Sequence, residues 1–408
     1  MSNASVSPLP SAPAGPIEVQ VVESGAGFAA LAAEWESLQA QAARTSVFET
    51  FDWQHLWWQS YGRGRALKIL VARAGGSQGS QASQGAIVGL LALHIETVQI
   101  MRFPVRHLRF VGTGGDTYPD DLGPLLAPGR EDEIARSFAD AVVQLAGWDV
   151  LMLTDMNPEC PFTAAVAAAS RRARFACETG RSERIAFTNL PATWDGWLQS
   201  MHRDRRYRIK NIRKKLLAAH PKARFFVWDD PKTLDEGFER LVYLHQKRWR
   251  SIGKAHAFST PVYREFHRAV MGACLARDRL RLYSLDLGGE VAAMYYFYRF
   301  RDTVYLMQSG FDPDHADVKP GQVLLGYIIE HAISEGHKVL DFLKGDHRYK
   351  DELSTGERET SYVTAFRLNP GGVVYRVRRQ VLPALMARAR QLHERLRPKP
   401  VGGGEQRP

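Results

Sequence analysis

The sequence predicts a mixed α/β chain of two units in tandem, each a mixed, mostly antiparallel sheet flanked by helices. Three observations lead there. The 408 residues exceed what one core usually organises. In the first half, short apolar or alternating runs and stretches of helical period follow the order strand, helix, several strands, helix, strand, helix, strand, the pattern of a mixed sheet with helices on both faces. The theme recurs after Asn189-Leu190-Pro191 without a repeat of the sequence. The chain is therefore divided into a disordered leader at 1–16, a first unit at 17–190, a second at 191–370, and a basic helix with a disordered tail at 371–408.

In the first unit, Ile17 to Val22 alternates as a strand, and Phe28 to Ala43 is a helix with Leu31, Trp35 and Leu38 on one side. Phe51 to Trp58 is aromatic-dense and helical. Its residues are read as core packing, since aromatic stripes are mostly buried surface. Leu67 to Ala74 and Ala86 to Ile95 are strands joined by the flexible linker GGSQGSQASQG. Arg102 to Val111 and Leu122 to Leu126 are further strands. The loop between them, Gly112 to Asp121, is rich in glycine and acid. It is read as a turn, or else as a wall that positions a cationic or hydroxyl-bearing molecule. Helix Glu131 to Ala146, strand Asp149 to Leu153, helix Phe162 to Arg172 and strands near Arg174 and Ile185 complete the unit.

The second unit starts with a short helix, Thr193 to Met201, and a strongly basic one, His202 to His220. Strand Ala223 to Trp228 follows, then helices Leu234 to Trp249 and Val262 to Leu275. Strands Leu280 to Leu285 and Val291 to Phe300 meet at a Gly288-Gly289 turn. Strand Tyr305 to Ser309 leads through an acidic loop to a helix whose face is Val323, Leu324, Tyr327, Ile328, His331 and Ala332. Gly336 stops it, and Lys338 to Leu343 is the next strand. Strand Tyr362 to Leu368 and helix Tyr375 to Leu396 close the chain.

The helix opening at Lys319-Pro320-Gly321-Gln322-Val323 is the sharpest candidate site. Proline is pre-set for a first helical turn, and glycine lets a ligand approach the backbone. Free N–H groups and the helix dipole make such a turn an anion site, and Lys319 adds a full positive charge. Lys319, Pro320, Gly321, Gln322 and Val323 are thus assigned as a pyrophosphate cradle. A helix start that binds nothing is the plain alternative.

The run from this Pro-Gly through Asp341-Phe342-Leu343-Lys344-Gly345-Asp346 to Tyr349-Lys350 resembles the acetyltransferases grouped with CelD cellulose-biosynthesis proteins. These are relatives of the Fem aminoacyl transferases within the GNAT superfamily. The resemblance covers roughly Trp194 to Arg367 well, and the first half more loosely. It departs at His347, where the family often has an acid. It implies two GNAT-like domains, with acetyl-CoA or another acyl-CoA as co-substrate of the second. An amine or hydroxyl of a sugar or envelope precursor, as in exopolysaccharide synthesis, would be the acceptor. It also places Arg248 and Trp249 in a substrate pocket, with a basic helix terminus that complements its dipole as the plain alternative.

Acyl transfer from a thioester needs alignment of the acceptor, removal of its proton and stabilisation of the oxyanion. The segment after the cofactor helix offers Asp346 or His347 as base, Tyr349 as proton donor or pocket wall, and Lys350 to hold an anionic group. A structural turn with a capped charge pair accounts for the same residues.

Composition narrows the classes. The net charge of +10 suits an anionic partner: a CoA-type cofactor, tRNA, an acyl carrier protein or an acidic membrane face. The basic helix at 203–215 is a solvated face, a dock for tRNA or an acyl carrier, or a cover for the cofactor's phosphates. Three widely spaced cysteines exclude the usual zinc spacings and fit a reducing, cytoplasmic setting. No metal is expected. No apolar run approaches a membrane span, and the N-terminus lacks the features of a secretion signal. Two alternatives accompany acyl-CoA transfer: a Fem-like aminoacyl-tRNA-dependent transferase, and a non-catalytic binding subunit that keeps the fold.

Overall fold

A computed structural model describes residues 15–75, 85–254, 257–345 and 348–381. The first half runs β1 (Ile17–Val22), α1 (Gly25–Ala30), α2 (Ala32–Gln41), α3 (Phe51–Tyr61), β2 (Ala66–Ala74), β3 (Ala86–Ile100), β4 (Phe103–Phe110), β5 (Leu125–Leu126), α4 (Glu131–Gln144), β6 (Val150–Met156), α5 (Pro161–Arg172) and β7 (Ala176–Asn189). The second half runs α6 (Trp194–Gln199), α7 (Arg203–Ala219), β8 (Arg224–Val227), α8 (Leu234–Ser251), α9 (Pro261–Ala276), β9 (Leu280–Asp286), β10 (Val291–Phe300), β11 (Thr303–Phe311), α10 (Pro320–Ser334), β12 (Val339–Asp341), α11 (Arg348–Leu353), β13 (Gly356–Phe366) and α12 (Pro370–Arg376).

All strands join one mixed sheet in the order β1-β2-β3-β4-β6-β13-β7-β12-β11-β10-β9-β8, with β5 beside β3. Among the described strands two pairs are parallel, β4 with β6 and β11 with β12. Each is joined through a crossover helix, α4 or α10, as parallel neighbours require. β13 comes from beyond residue 191 yet lies between β6 and β7 of the first half.

Helices cover both faces. Helices α8 and α9 share a core with the first-half helices, including Trp53, Phe238, Phe266 and Tyr305. On the other face α6, α7 and α10 bury Trp197, Leu216, Leu324 and Ile328 against β9 to β12. Of the face of α10 read from the sequence, Val323, Leu324, Ile328 and Ala332 are buried, whereas Tyr327 is half-buried and His331 is exposed.

Some expected elements differ. Phe28–Ala43 is two helices, broken at Leu31, which caps α1 and starts α2. The strand expected at 122–126 is only Leu125–Leu126. The two strands near Arg174 and Ile185 are one long strand, β7, which borders both β12 and β13. The expected linker at 75–85 lies almost wholly outside the described residues, as do most of the leader and of the expected helix 375–396. No helix among the described residues is long and apolar enough to cross a membrane.

Candidate functional site

The site begins where two parallel strands part. β11 and β12 pair from Thr303–Val339 to Tyr305–Asp341 and no further. On the opposite edge of β11, Tyr296 faces Gln308 while Phe297 faces Leu306, so Met307 is an extra residue, a β-bulge. Beyond β12 the chain swings toward the first half. Phe342 N–H donates to Ala186 O at 3.0 Å, and Leu343 takes φ 54°, uncommon for a residue with a side chain. Lys344 N–H donates to Asp120 Oδ2 at 2.9 Å. A cavity of about 420 Å³ opens in the gap, lined by Leu306 to Ser309 on one strand and by Phe342 to Lys344 on the other.

Helix α8 roofs this cavity. It lies so close to β11 that a Cβ on Gly310 would come within 2.4 Å of His245 N. Only glycine permits that approach. His245 Nδ1–H donates to Ser309 O at 2.9 Å, and Arg248 Nη1 donates to Ser309 Oγ at 3.2 Å. Lys247 is tied to Asp312 at 2.6 Å and to Asp314 at 2.7 Å, which fixes the loop ahead of α10. Glu290, Asp312 and His315 form a group of metal-ligand geometry, but the Lys247 ammonium already supplies the positive charge beside Asp312.

The loop from Asp116 to Asp120 is another wall. It is held from below, since Trp57 Nε1–H donates to Thr117 Oγ1 at 2.7 Å and Tyr61 OH donates to Asp116 Oδ1 at 2.6 Å. Of the aromatic stretch, Trp57 is therefore packing and Trp53 reaches the cavity. Asp120 is 1% exposed; its Oδ1 accepts no hydrogen bond among the described residues, and Lys344 Nζ lies 3.4 Å from it. Burial pushes its carboxyl up to about 7, against the pull of Lys344. Neighbouring Asp121 is ion-paired to Arg358, which also holds Asp341 at 2.8 Å.

A second cavity, of about 480 Å³, lies over the start of α10. Lys319 caps that helix in the left-handed conformation, at φ 52°, without a side-chain cap. Pro320 opens the first turn. Gly321 N–H has no hydrogen-bond partner among the described residues. A Cβ on Gly321 would meet only ordinary contacts, at 3.6 Å from Phe311 and Tyr295. Arg208 and Arg248 line the same cavity with Lys319, against a single acid, Glu352, which pairs with Arg208 at 3.2 Å. The cavity is positive and offers an amide at a helix N-terminus, the chemistry that suits a pyrophosphate.

Arg248 and Tyr349 line both cavities, so the two meet there. Burial raises the Tyr349 phenol well above its ordinary range, which keeps it protonated. Lys319, Pro320, Gly321 and Gln322 line the second cavity, as their assignment requires. Val323 does not: its side chain is in the core and its N–H donates to Lys319 O within the helix. Trp249 lines the first cavity. Lys350, assigned to an anionic group, sits buried with its ammonium on Leu343 O and Lys344 O at 2.9 and 2.8 Å, where it clamps the turn after β12. Asp346 and His347 lie outside the described residues. Sequence reading missed Asp120. The acids of its loop were the available signal, but the residue that pairs with Asp120, Lys344, lies more than 200 residues on in the chain.

A family model described as an Acetyltransferase (GNAT) domain matches residues 203–351, from α7 through the cavity-lining part of α11. Two solved structures share the fold. "Crystal structure of FemX" is 11% identical, with a TM-score of 0.57 over 85% of this chain and 96% of that one. A conserved protein of unknown function from Bacteroides thetaiotaomicron VPI-5482 is 10% identical, with a TM-score of 0.53 over 85% of this chain and 100% of that one. No curated protein matches the chain. Residues 203–351 are thus similar to a GNAT acetyltransferase domain, and the architecture is one large mixed sheet flanked by helices on both faces.

Proposed function

We propose that the chain transfers an acyl group, acetyl in the simplest case, from acyl-CoA to an acceptor, directly within a ternary complex. The observation that carries this is the meeting of two cavities at Arg248 and Tyr349. The donor's pyrophosphate lies against Gly321 N–H, Lys319 and Arg208. The acceptor occupies the cavity between β11 and β12. Arg248 sits where negative charge develops on the carbonyl oxygen, and Tyr349 can protonate the departing thiolate. Asp346 and His347 stand close by in sequence as further proton carriers. The resemblance to CelD-type proteins favours an amine or hydroxyl on a sugar or envelope precursor as acceptor. Calorimetric titration with acetyl-CoA tests the reading. Saturable binding is expected, and no binding at about 1 mM, the weak end of ligand affinities, would refute it.

A second reading keeps the fold and changes the donor to an aminoacyl-tRNA. Its support is the outer face of α7. Arg205, Arg208 and Arg213 turn inward onto Glu352 and Glu330, whereas Arg203, Lys210 and Lys214 are exposed at the spacing of one helical face, beside exposed Tyr207. Gel shifts with charged tRNA, with and without acetyl-CoA as competitor, distinguish the two. A steep salt dependence is expected of true phosphate contacts.

A further inference from the structure

We propose that the tip of the β3–β4 hairpin, together with the outer face of α12, docks the chain on an anionic lipid bilayer.

The hairpin stands clear of the sheet. β2 pairs with β3 only as far as Ile95, and β6 joins β4 only from His107, whereas β3 and β4 stay paired to Ile100–Phe103. The two-stranded ribbon beyond those points is roughly 15 Å long at the rise of a strand. Ile100 packs with Val374 and Tyr375 of α12, and Gln99 to Met101 line one cavity with Arg378 and Arg379. The two-residue turn at the tip is Met101-Arg102, both at positive φ, 52° and 66°. Asn-Gly fills such a turn readily, whereas a methionine or arginine there pays for its Cβ. Met101 is also 61% exposed and Phe103, beside it, 37%. Turn chemistry and water both disfavour these residues, so neither accounts for them, and strain of this kind points to a function.

On α12 the pattern recurs. Val373 is 48% exposed and Leu368, just ahead of the helix, 71%. Arg102, Arg376, Arg378 and Arg379 are exposed around them. No aspartate or glutamate occurs from Thr97 to Val105 or from Arg367 to Val381. Of the acids at this end of the sheet, Glu96 is tied to Arg65 and Arg109, Asp149 is tied to Arg106, and Glu178 on β7 is half-buried. The chain leaves the described residues here, at Val381, and the 27 residues that follow carry six arginines and lysines against two glutamates.

Apolar side chains rimmed by arginine match the boundary of a bilayer. Acyl chains receive Met101 and Phe103, and lipid phosphates receive the guanidinium groups. A ribbon tip offers another protein too little area, since a specific interface buries about 1,000 Å² or more, whereas lipids close round it. A nucleic acid would take the arginines and leave the four apolar side chains in water.

The test is sedimentation of the full chain with vesicles of phosphatidylcholine, with and without phosphatidylglycerol. Binding is expected to the mixed vesicles, weakened by salt, and not to the neutral ones. Met101→Asn with Arg102→Gly installs the residues that the turn prefers. That variant should gain stability in urea while its vesicle affinity falls about tenfold. Arg378→Gln with Arg379→Gln should cost about fivefold for each arginine. Lys210→Gln with Lys214→Gln, on the basic face of α7, should change nothing. Several results would each overturn the inference: no binding to mixed vesicles, equal binding to neutral ones, loss of binding through the α7 pair, or an Asn-Gly tip that binds as before or destabilises the fold. RNA binding that is lost with Arg378 and Arg379 but indifferent to the tip would reassign this face to nucleic acid.

Discussion

The two crossover helices, α4 and α10, hold equivalent places in their halves and begin in opposite ways. Each connects a pair of parallel strands. Helix α4 opens with Glu131, Asp132 and Glu133, and Arg130 ahead of it is spent on Glu133 at 2.8 Å. Those acids satisfy the positive end of their own helix and repel any phosphate. Helix α10 opens with Pro320, Gly321 and Gln322 behind Lys319, with no acid in its first turn. Of these two crossover helices, only α10 opens in a way that suits an anion, and on the proposed reading it is the donor side.

Arg248 should give the largest effect, since it lines both cavities. Arg248→Ala should lower turnover about a hundredfold, the scale of losing one positioned oxyanion donor. Acetyl-CoA affinity should change much less, and steady-state kinetics beside calorimetry would show the split. Gly321→Val comes next. The position has room for a Cβ but not for phosphates beside a branched side chain, so the Kd for acetyl-CoA should rise about tenfold or more, roughly 1.4 kcal/mol. An unchanged Kd would remove α10 as the cradle and erase the contrast with α4.

A third expectation concerns pH and the first half. Burial pushes the Glu49 carboxyl up to about 8, against the hydrogen bond from Ser46 N–H. With the folded pKa above the unfolded one, its contribution is full below about pH 4.3 and is lost as pH rises toward 8. Glu49→Gln should flatten that part of the stability profile in urea titrations at several pH values. A slope unchanged between wild type and variant would mean the carboxyl is not held neutral. The smallest effect is expected from Glu131→Gln with Asp132→Asn. Stability should move by about 0.5 kcal/mol or less, and acetyl-CoA should still bind once per chain. A second equivalent of bound acetyl-CoA would show that the acids alone silence the first half.

The strand, loop and helix from Tyr305 to Gly336 were legible because apolar period and Pro-Gly punctuation act over a few residues. Lys350 was read for its charge, but a buried ammonium takes whatever acceptors surround it, and here these are two carbonyls of its own turn. Arg248 was placed by resemblance. Its position at the junction of two cavities depends on Gly310 letting α8 approach β11, which spacing along α8 does not reveal. Asp120 and the insertion of β13 were illegible for one reason: each is made by residues far apart in the chain.

That insertion bears on how the chain comes to be made. While the first 190 residues are being synthesised, β6 and β7 have no β13 between them, and each presents an open edge. At roughly 5–20 residues per second, the missing strand emerges only about ten or more seconds later. Until then the nascent first half carries a gap that any other extended segment could fill. The long wait for residue 366 makes this seam the point at which the growing chain is most exposed to mispairing, and a gene cut at residue 190 would leave it open for good.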